Sequence, residues 1–236
     1  MADWKYGDAG DLYPMERGQV WHVNEAYFAV GDLEENDALK FLEFMEKTLE
    51  IVPTAFYSDP PWDKGNAKSF RTKAFGKENS RAVDFVGSLL PRIVEACRTS
   101  CDMFAIEMGD KHVEDLVTEL MKQGANGTSI APITYYKKHP CRIVCGTFGS
   151  TSVQAVEASE FAGMDDEDTP GIFIRPLALN TVVFDCCVGQ GLTCMVADGL
   201  GHRSMGMELN PRRAACGVKH IVDTTGFQPE LVGSFL

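Results

Sequence analysis

The hydrophobic pattern along the chain switches repeatedly between the period of two expected of strands and the period near 3.6 expected of helices. Residues 1–20 show neither and predict an irregular amino-terminal arm. "QVWHVNEAYFAVGD" is rich in Val, Tyr, Phe and Trp and stops at Gly31-Asp32, which predicts one or two strands. "NDALKFLEFMEKTLEIV" places apolar residues at 39, 42, 45 and 49, a helical spacing behind an Asn/Asp start. "PTAFYSD" predicts a short strand, whereas residues 63–79, "DKGNAKSFRTKAFGKEN", lack a clear period and predict a loop. "SRAVDFVGSLLPRIVEACRTS" predicts a helix capped by Ser80, "CDMFAIEMG" a strand, and "KHVEDLVTELMKQGA" an amphipathic helix closed by Gly124.

Two strand-like runs follow, "TSIAPITYYKK" and "CRIVCGTFG", with a turn predicted at His139-Pro140. Residues 150–172, which include "MDDEDTP", predict an acidic surface connection. The chain then reads strand ("TVVFDCCVGQG"), helix ("LTCMVADGLG"), strand ("RSMGMELN") and helix ("PRRAACGVKHIVDTT", with Pro211 in its first turn). This alternation predicts an α/β fold with a mainly parallel sheet covered on both faces, built as a single domain over residues 1–236.

Charge and composition narrow the possibilities. No stretch reaches the ~18 uninterrupted apolar residues of a membrane span, and the acidic amino terminus has no signal-peptide core. The expectation is a soluble, cytoplasmic protein without membrane contact. The eight cysteines form no CxxC pair and no zinc spacing, so they predict buried packing residues and no metal site. A formal net charge of −12 disfavours broad, non-specific affinity for nucleic acid.

Two segments carry candidate chemistry. In "VVFDCCVGQGLT" a buried strand ends in an acid and runs into Gly189-x-Gly191, which opens a helix. Glu208 ends the next strand about 20 residues on, where an acid can accept the hydroxyls of a ribose. A GxG after a strand also suits a plain turn; the series strand, GxG, helix, strand, acid points to a nucleoside. The third glycine of a dinucleotide fingerprint is replaced by Cys194, which favours a nucleoside without phosphates, such as S-adenosylmethionine. The second segment is "YSDPPW" (57–62), where an acid, two prolines and a tryptophan follow a strand.

With "DPPW" (59–62) and "DCCVGQGLT" (185–193) in one chain, the sequence resembles the S-adenosylmethionine-dependent amino-methyltransferases that act on exocyclic nitrogens of DNA bases. Their motif at the catalytic strand end is [DNS]-P-P-[YFW]. The order of motifs, catalytic before cofactor, resembles the permuted β-type arrangement. The resemblance implies a Rossmann-like class I methyltransferase fold, circularly permuted. It implies cofactor contacts at Asp185, Cys187, Gly189, Gly191, Thr193 and Glu208. "YFAVGDLEE" is similar to a third cofactor element and places Asp32 at the adenine. Cys187 departs from the family, which has an aromatic there. The element before the cofactor strand is reduced to "IFIRPLAL", in which Arg175 is the candidate for the methionine carboxylate. The acidic connection is too short for a separate target-recognition domain.

The chemistry of an amino group explains the motif. Its lone pair is delocalised into the ring, and two hydrogen-bond acceptors can localise it and aim it at a methyl donor. Asp59 and the Pro60 carbonyl would accept, Pro60 and Pro61 would hold the backbone, and Trp62 would stack on a flipped-out base. Lys64, Lys68, Arg71 and Lys73, with Lys77 and Arg81 beyond them, would contact phosphates, and Phe70 or Phe75 would fill the vacated stack; the same residues suit a solvated loop. Lys137, Lys138 and Arg142 could extend that patch, while Arg203, Arg212 and Arg213 suit balance of surface charge. Methyl transfer to DNA adenine N6 is the leading expectation. RNA adenine, a small-molecule or protein amide, and a catalytically silent subunit remain open, as does a homodimer or partner subunit.

Overall fold

The computed structural model describes residues 6–79, 81–149 and 156–236. The arm is not irregular throughout. A short helix, α1 (Ala9–Leu12), buries Ala9 against Ala215 and Cys216. Strands β1 (Gln19–Val23) and β2 (Ala26–Val30) form an antiparallel hairpin, so the first apolar run makes two strands. Helix α2 (Asp37–Leu49) buries Phe41, Leu42 and Met45, the stripe its spacing predicts. All four residues of β3 (Ala55–Ser58) are buried, as in a strand covered on both faces.

The predicted loop after "DPPW" is a helix, α3 (Lys64–Phe75). Asp63 caps it, accepting hydrogen bonds from the amides of Gly65 and Asn66 at 2.7 and 2.8 Å. Its period is hidden because only Ala67 and Arg71 are buried, so no apolar stripe marks it. Ser80 lies outside the described residues. The next helical stretch begins after Asp84, which accepts from the Gly87 amide, and passes through a π turn (Phe85–Leu89) into α4 (Leu90–Ser100). Then come β4 (Met103–Gly109), α5 (Val113–Lys122), β5 (Ala125–Tyr135) and β6 (His139–Phe148). The turn between the last two lies at Tyr136–Lys138, earlier than predicted, and His139 and Pro140 already pair with Tyr135 and Thr134. Pro140 is tolerated because β6 gains its second neighbour only from Cys141 onward.

The acidic segment is not a mere surface connection. Residues 150–155 lie outside the described residues, but Phe161, Asp165 and Thr169 beyond them are buried. This stretch leads into a short helix, α6 (Thr169–Ile174), that packs on the sheet. The remainder follows the predicted order: β7 (Val182–Asp185), α7 (Leu192–Gly199), β8 (Arg203–Glu208) and α8 (Pro211–Thr225). A final strand, β9 (Glu230–Ser234), was not expected and pairs with β1 at the sheet edge.

The strands form one sheet in the order β5-β6-β4-β3-β7-β8-β2-β1-β9. The five central strands, β4 to β2 in that order, are mutually parallel, and antiparallel pairings flank them. Helices α2, α4 and α5 cover one face around Phe41, Phe56 and Phe184; α6, α7 and α8 cover the other. The sheet is thus mixed, with a parallel centre. β3 precedes β7 in the chain yet lies beside it, and β2 from the chain's start completes the β7-β8 half, which is the permuted order the motifs implied. No helix among the described residues is long and apolar enough to cross a membrane.

Candidate active site

The crossovers leave β3 and β7 in opposite directions, so the carboxyl ends of these two strands open a crevice. Both sequence motifs end there, on the walls of a cavity of about 850 Å³. Ser58 Oγ donates to Asp185 Oδ1 at 2.8 Å, fastening the end of the DPPW strand to the end of the glycine-loop strand.

Asp185 is held by three protein donors, Ser58 among them. Its Oδ1 also accepts from the Cys187 amide at 2.9 Å, and Oδ2 accepts from Thr193 Oγ1 at 2.6 Å. Asp185 and Thr193, expected as ligand contacts, both line the cavity and also brace the loop from beneath. Burial pushes the Asp185 carboxyl up to about 6 despite these donors. Gly189 and Gly191 both have left-handed backbones, at φ +62° and +92°, which explains glycine at each. Gly189 and Cys187 line the cavity; Gly191 does not, and instead meets α8. Glu208 ends β8, accepts from the Asn210 amide at 2.9 Å, and lies 3.9 Å from Arg213 Nε. Burial raises its pKa against the pull of Arg213.

Across the cavity, Asp59 is half-buried and accepts from Trp62 Nε1 at 3.0 Å, so the fourth residue of the motif orients the first. Burial, then the nearby charges of Asp185 and Asp166, push the Asp59 carboxyl up to about 7. The Trp62 ring packs over Gly109, whose added Cβ would lie 3.0 Å from it, and meets Tyr135 edge-on at 4.8 Å between centroids. Below Asp59 lies a polar knot absent from the sequence reading: Tyr57 and Thr169 hydroxyls against the buried Glu107 carboxyl. Two signals for it were present. Tyr57 stands two residues before Asp59 on the same strand face, and Glu107 is an acid inside an otherwise apolar strand.

No protein-family model matches the chain, and no curated protein matches its sequence. Solved structures do. The chain aligns with TTHA0409, a candidate DNA modification methylase from Thermus thermophilus in complex with S-adenosyl-L-methionine, at a TM-score of 0.57 and 15% identity, covering 83% of this chain and 93% of that one. It aligns with M1.HpyAVI at 0.53 and 12%, covering 78% and 95%. A third match is the cytosine-N4-specific PvuII DNA methyltransferase, at 0.52 and 12%, covering 84% and 90%. The chain has the class I methyltransferase fold.

Within that fold, the cations fall differently from the sequence expectation. Lys64, Lys68 and Lys73 are exposed on α3 and do not line the cavity; Phe70 does, under Arg213 at 5.0 Å. Arg71, expected on a phosphate, is 7% exposed and pairs with Asp32 and Glu34, each at 2.8 Å. Asp32 lines the cavity, but its carboxylate also caps the turn at Glu34, so this acid anchors α3 to the end of β2. Arg81 and Arg142 are likewise paired, with Glu35 at 2.8 Å and Asp110 at 3.0 Å. Arg175 is exposed and outside the cavity, which removes it as the carboxylate contact; Arg213, read as surface balance, lines it. Nine carboxyl side chains border the cavity against two arginines, a balance that suits a cationic ligand. Removing Arg71 leaves the nearly buried Asp32 without its counter-ion and Glu34 with only Arg81, at 3.5 Å. Arg71→Ala should cost about 2 kcal/mol of stability, read in a denaturant midpoint, and should speed amide exchange along α3 more than along α2.

Proposed function

We propose that this protein transfers a methyl group from S-adenosylmethionine to an exocyclic amino group of a DNA base, adenine N6, by direct attack on a flipped-out base. The observation that carries this reading is the convergence of an oriented Asp59 and the Gly189 loop on one acid-lined cavity at the switch point. The cofactor would supply an electrophilic methyl on a sulfonium. The residues present fit it: Glu208 can accept ribose hydroxyls, the left-handed Gly189 allows close approach, and the surplus of carboxylates favours a cation. Asp59 and the Pro60 carbonyl accept the two amino hydrogens and hold the nitrogen lone pair out of the ring plane. As nitrogen gains charge, the Asp59 carboxylate stabilises it and, with a pKa near 7, can take the proton the amine must lose. Trp62, fixed through its indole N–H, offers with Tyr135 an aromatic wall for the base.

The charge difficulty has a local answer. Lys64, Lys68 and Lys73 project from α3 and Lys137 and Lys138 from the β5-β6 turn, two elements that both contribute cavity-lining residues. Phosphates would thus meet cations outside an acidic cavity. Incubation with labelled cofactor and unmethylated DNA, RNA and nucleoside pools, followed by mass identification of the product, tests the reading. N6-methyladenine in DNA is expected; label confined to RNA, or to cytosine N4, would overturn it. Glu208→Ala should weaken cofactor binding about 10–30-fold, the worth of a hydrogen bond to a charged group, with transfer recovered at saturating cofactor. Unchanged affinity in a titration would remove the ribose assignment.

A further inference from the structure

The methyl transfer described above does not use the carboxyl of Glu107. This residue is 1% exposed and lies on β4, whose pairing with β3 runs through Ser58 and Ile106 and so sets Glu107 beside Asp59. Its Oε1 accepts from the Tyr57 hydroxyl and from Thr169 Oγ1. The Thr169 hydroxyl lies nearer to Oε1, at 2.5 Å, than to the Asp166 carbonyl, at 2.9 Å. Among the described residues Oε2 has no hydrogen-bond partner, although Glu107 lines the cavity. The Tyr57 and Thr169 hydroxyls, 2.6 Å apart, both sit on Oε1, so a proton taken up by this carboxyl rests on Oε2. Burial and the charge of Asp59 both favour that neutral form. A buried donor without an acceptor costs about 1–3 kcal/mol, and whatever fills the inner end of the cavity can remove that cost.

We propose that Glu107 reads the substrate base, donating its Oε2 hydrogen to the ring nitrogen adjacent to the reacting amino group. The inference rests on the amino-base reading above. A base whose amino hydrogens point at Asp59 and the Pro60 carbonyl could turn its neighbouring ring atom to Glu107, which lines the same cavity. Adenine N1 and cytosine N3 are acceptors at that place. Guanine and thymine carry an N–H there and would oppose the Glu107 hydrogen. A neutral acid suits the task better than a lysine, because a full cation at the ring nitrogen would draw the amino lone pair back into the ring. Tyr57 and Thr169 are positioning residues that fix which carboxyl oxygen carries the proton.

The test compares oligonucleotides carrying one adenine or one 1-deazaadenine, in which the ring nitrogen is a C–H. Wild-type kcat/KM should fall about 10–100-fold on the deaza substrate, the worth of one hydrogen bond to an otherwise unpaired group. Glu107→Leu should lose as much on adenine and lose nothing more on 1-deazaadenine. Glu107→Gln keeps an acceptor for Tyr57 and Thr169 and an N–H in place of Oε2–H, so it should rescue most of the loss and restore the deaza penalty. Thermal midpoints of both variants separate folding from recognition. Equal wild-type rates on the two bases would overturn the proposal, as would a folded, cofactor-binding Glu107→Gln without activity, which would mean an ionised Glu107 is needed. Absence of transfer to adenine by the wild type overturns the amino-base reading itself and this proposal with it.

Discussion

Replacing Asp59 by alanine is expected to lower methyl transfer about 10³-fold, the upper end of what one preorganised polar group contributes to a transition state, while the cofactor still binds. The separation follows from the layout. Glu208 and the Gly189 loop hold one side of the cavity, and Asp59 stands on the opposite strand end with its carboxylate aimed by Trp62. Single-turnover rates with a cofactor titration check both halves, and surviving activity would remove Asp59 from the reaction. The pH dependence adds a sharper signature. Only the ionised carboxylate stabilises a positive nitrogen, so the rate should rise with pH through about 7, where burial has pushed this group. Asp59→Asn keeps a neutral acceptor and should flatten that limb. Stability runs the other way. A carboxyl whose pKa is raised on folding favours the folded state while it is protonated, and that contribution is lost as pH rises from its ordinary value near 3.8 through about 7. Asp59→Asn should therefore have a higher thermal midpoint than wild type at pH 8, with the gap closing towards pH 4. Activity and stability trade against each other at this one side chain.

The parts of the fold visible in the sequence were those written in apolar periodicity. α2, α4, α5 and the buried β3, β4 and β7 each carry a stripe or an apolar run, because each must cover or form the core. α3 carries none: it is held by a cap and by an ion pair, Arg71 with Asp32 and Glu34, and ion pairs leave no period. β9 was equally hidden, since an edge strand buries little and "ELVGS" has only two apolar residues beyond its glycine. At the site, DPPW and the glycine loop were legible because their backbone demands select rare residue types. Thr169 was not, because its contact with Glu107 spans 62 residues of the chain, and Glu107 showed only as an acid inside an apolar strand with nothing to say what it meets. The acidic connection misled for a related reason: its charge suggested solvent, yet Asp166 lines the cavity and Phe161 is in the core.

The glycine loop makes the second large prediction. Gly191→Ala should cost about 4 kcal/mol, combining the left-handed backbone penalty of a non-glycine residue with overpacking of a closed contact. Its backbone sits at φ +92°, and an added Cβ would lie 2.5 Å from the Gly217 Cα of α8 and 3.3 Å from Phe28. Neither Gly217 backbone nor a buried phenylalanine in the sheet can yield cheaply, so α8 must move. That helix follows closely on Glu208 and carries Arg213 over Phe70, so its displacement opens the Glu208 side of the cavity as well as the core. The expected fall in thermal midpoint is about 8–16 °C, at 2–4 °C per kcal/mol for a domain of this size. Cofactor affinity should fall in the protein that remains folded. Gly201→Ala supplies the control, for Gly201 is also left-handed, at φ +77°, but an added Cβ there meets nothing within 4 Å. It should cost only the backbone penalty, about 1–2 kcal/mol, and leave cofactor binding unchanged. Equal losses from the two variants would show that the approach of the loop to α8 is not what holds the site, and that Gly191 serves only to turn the chain.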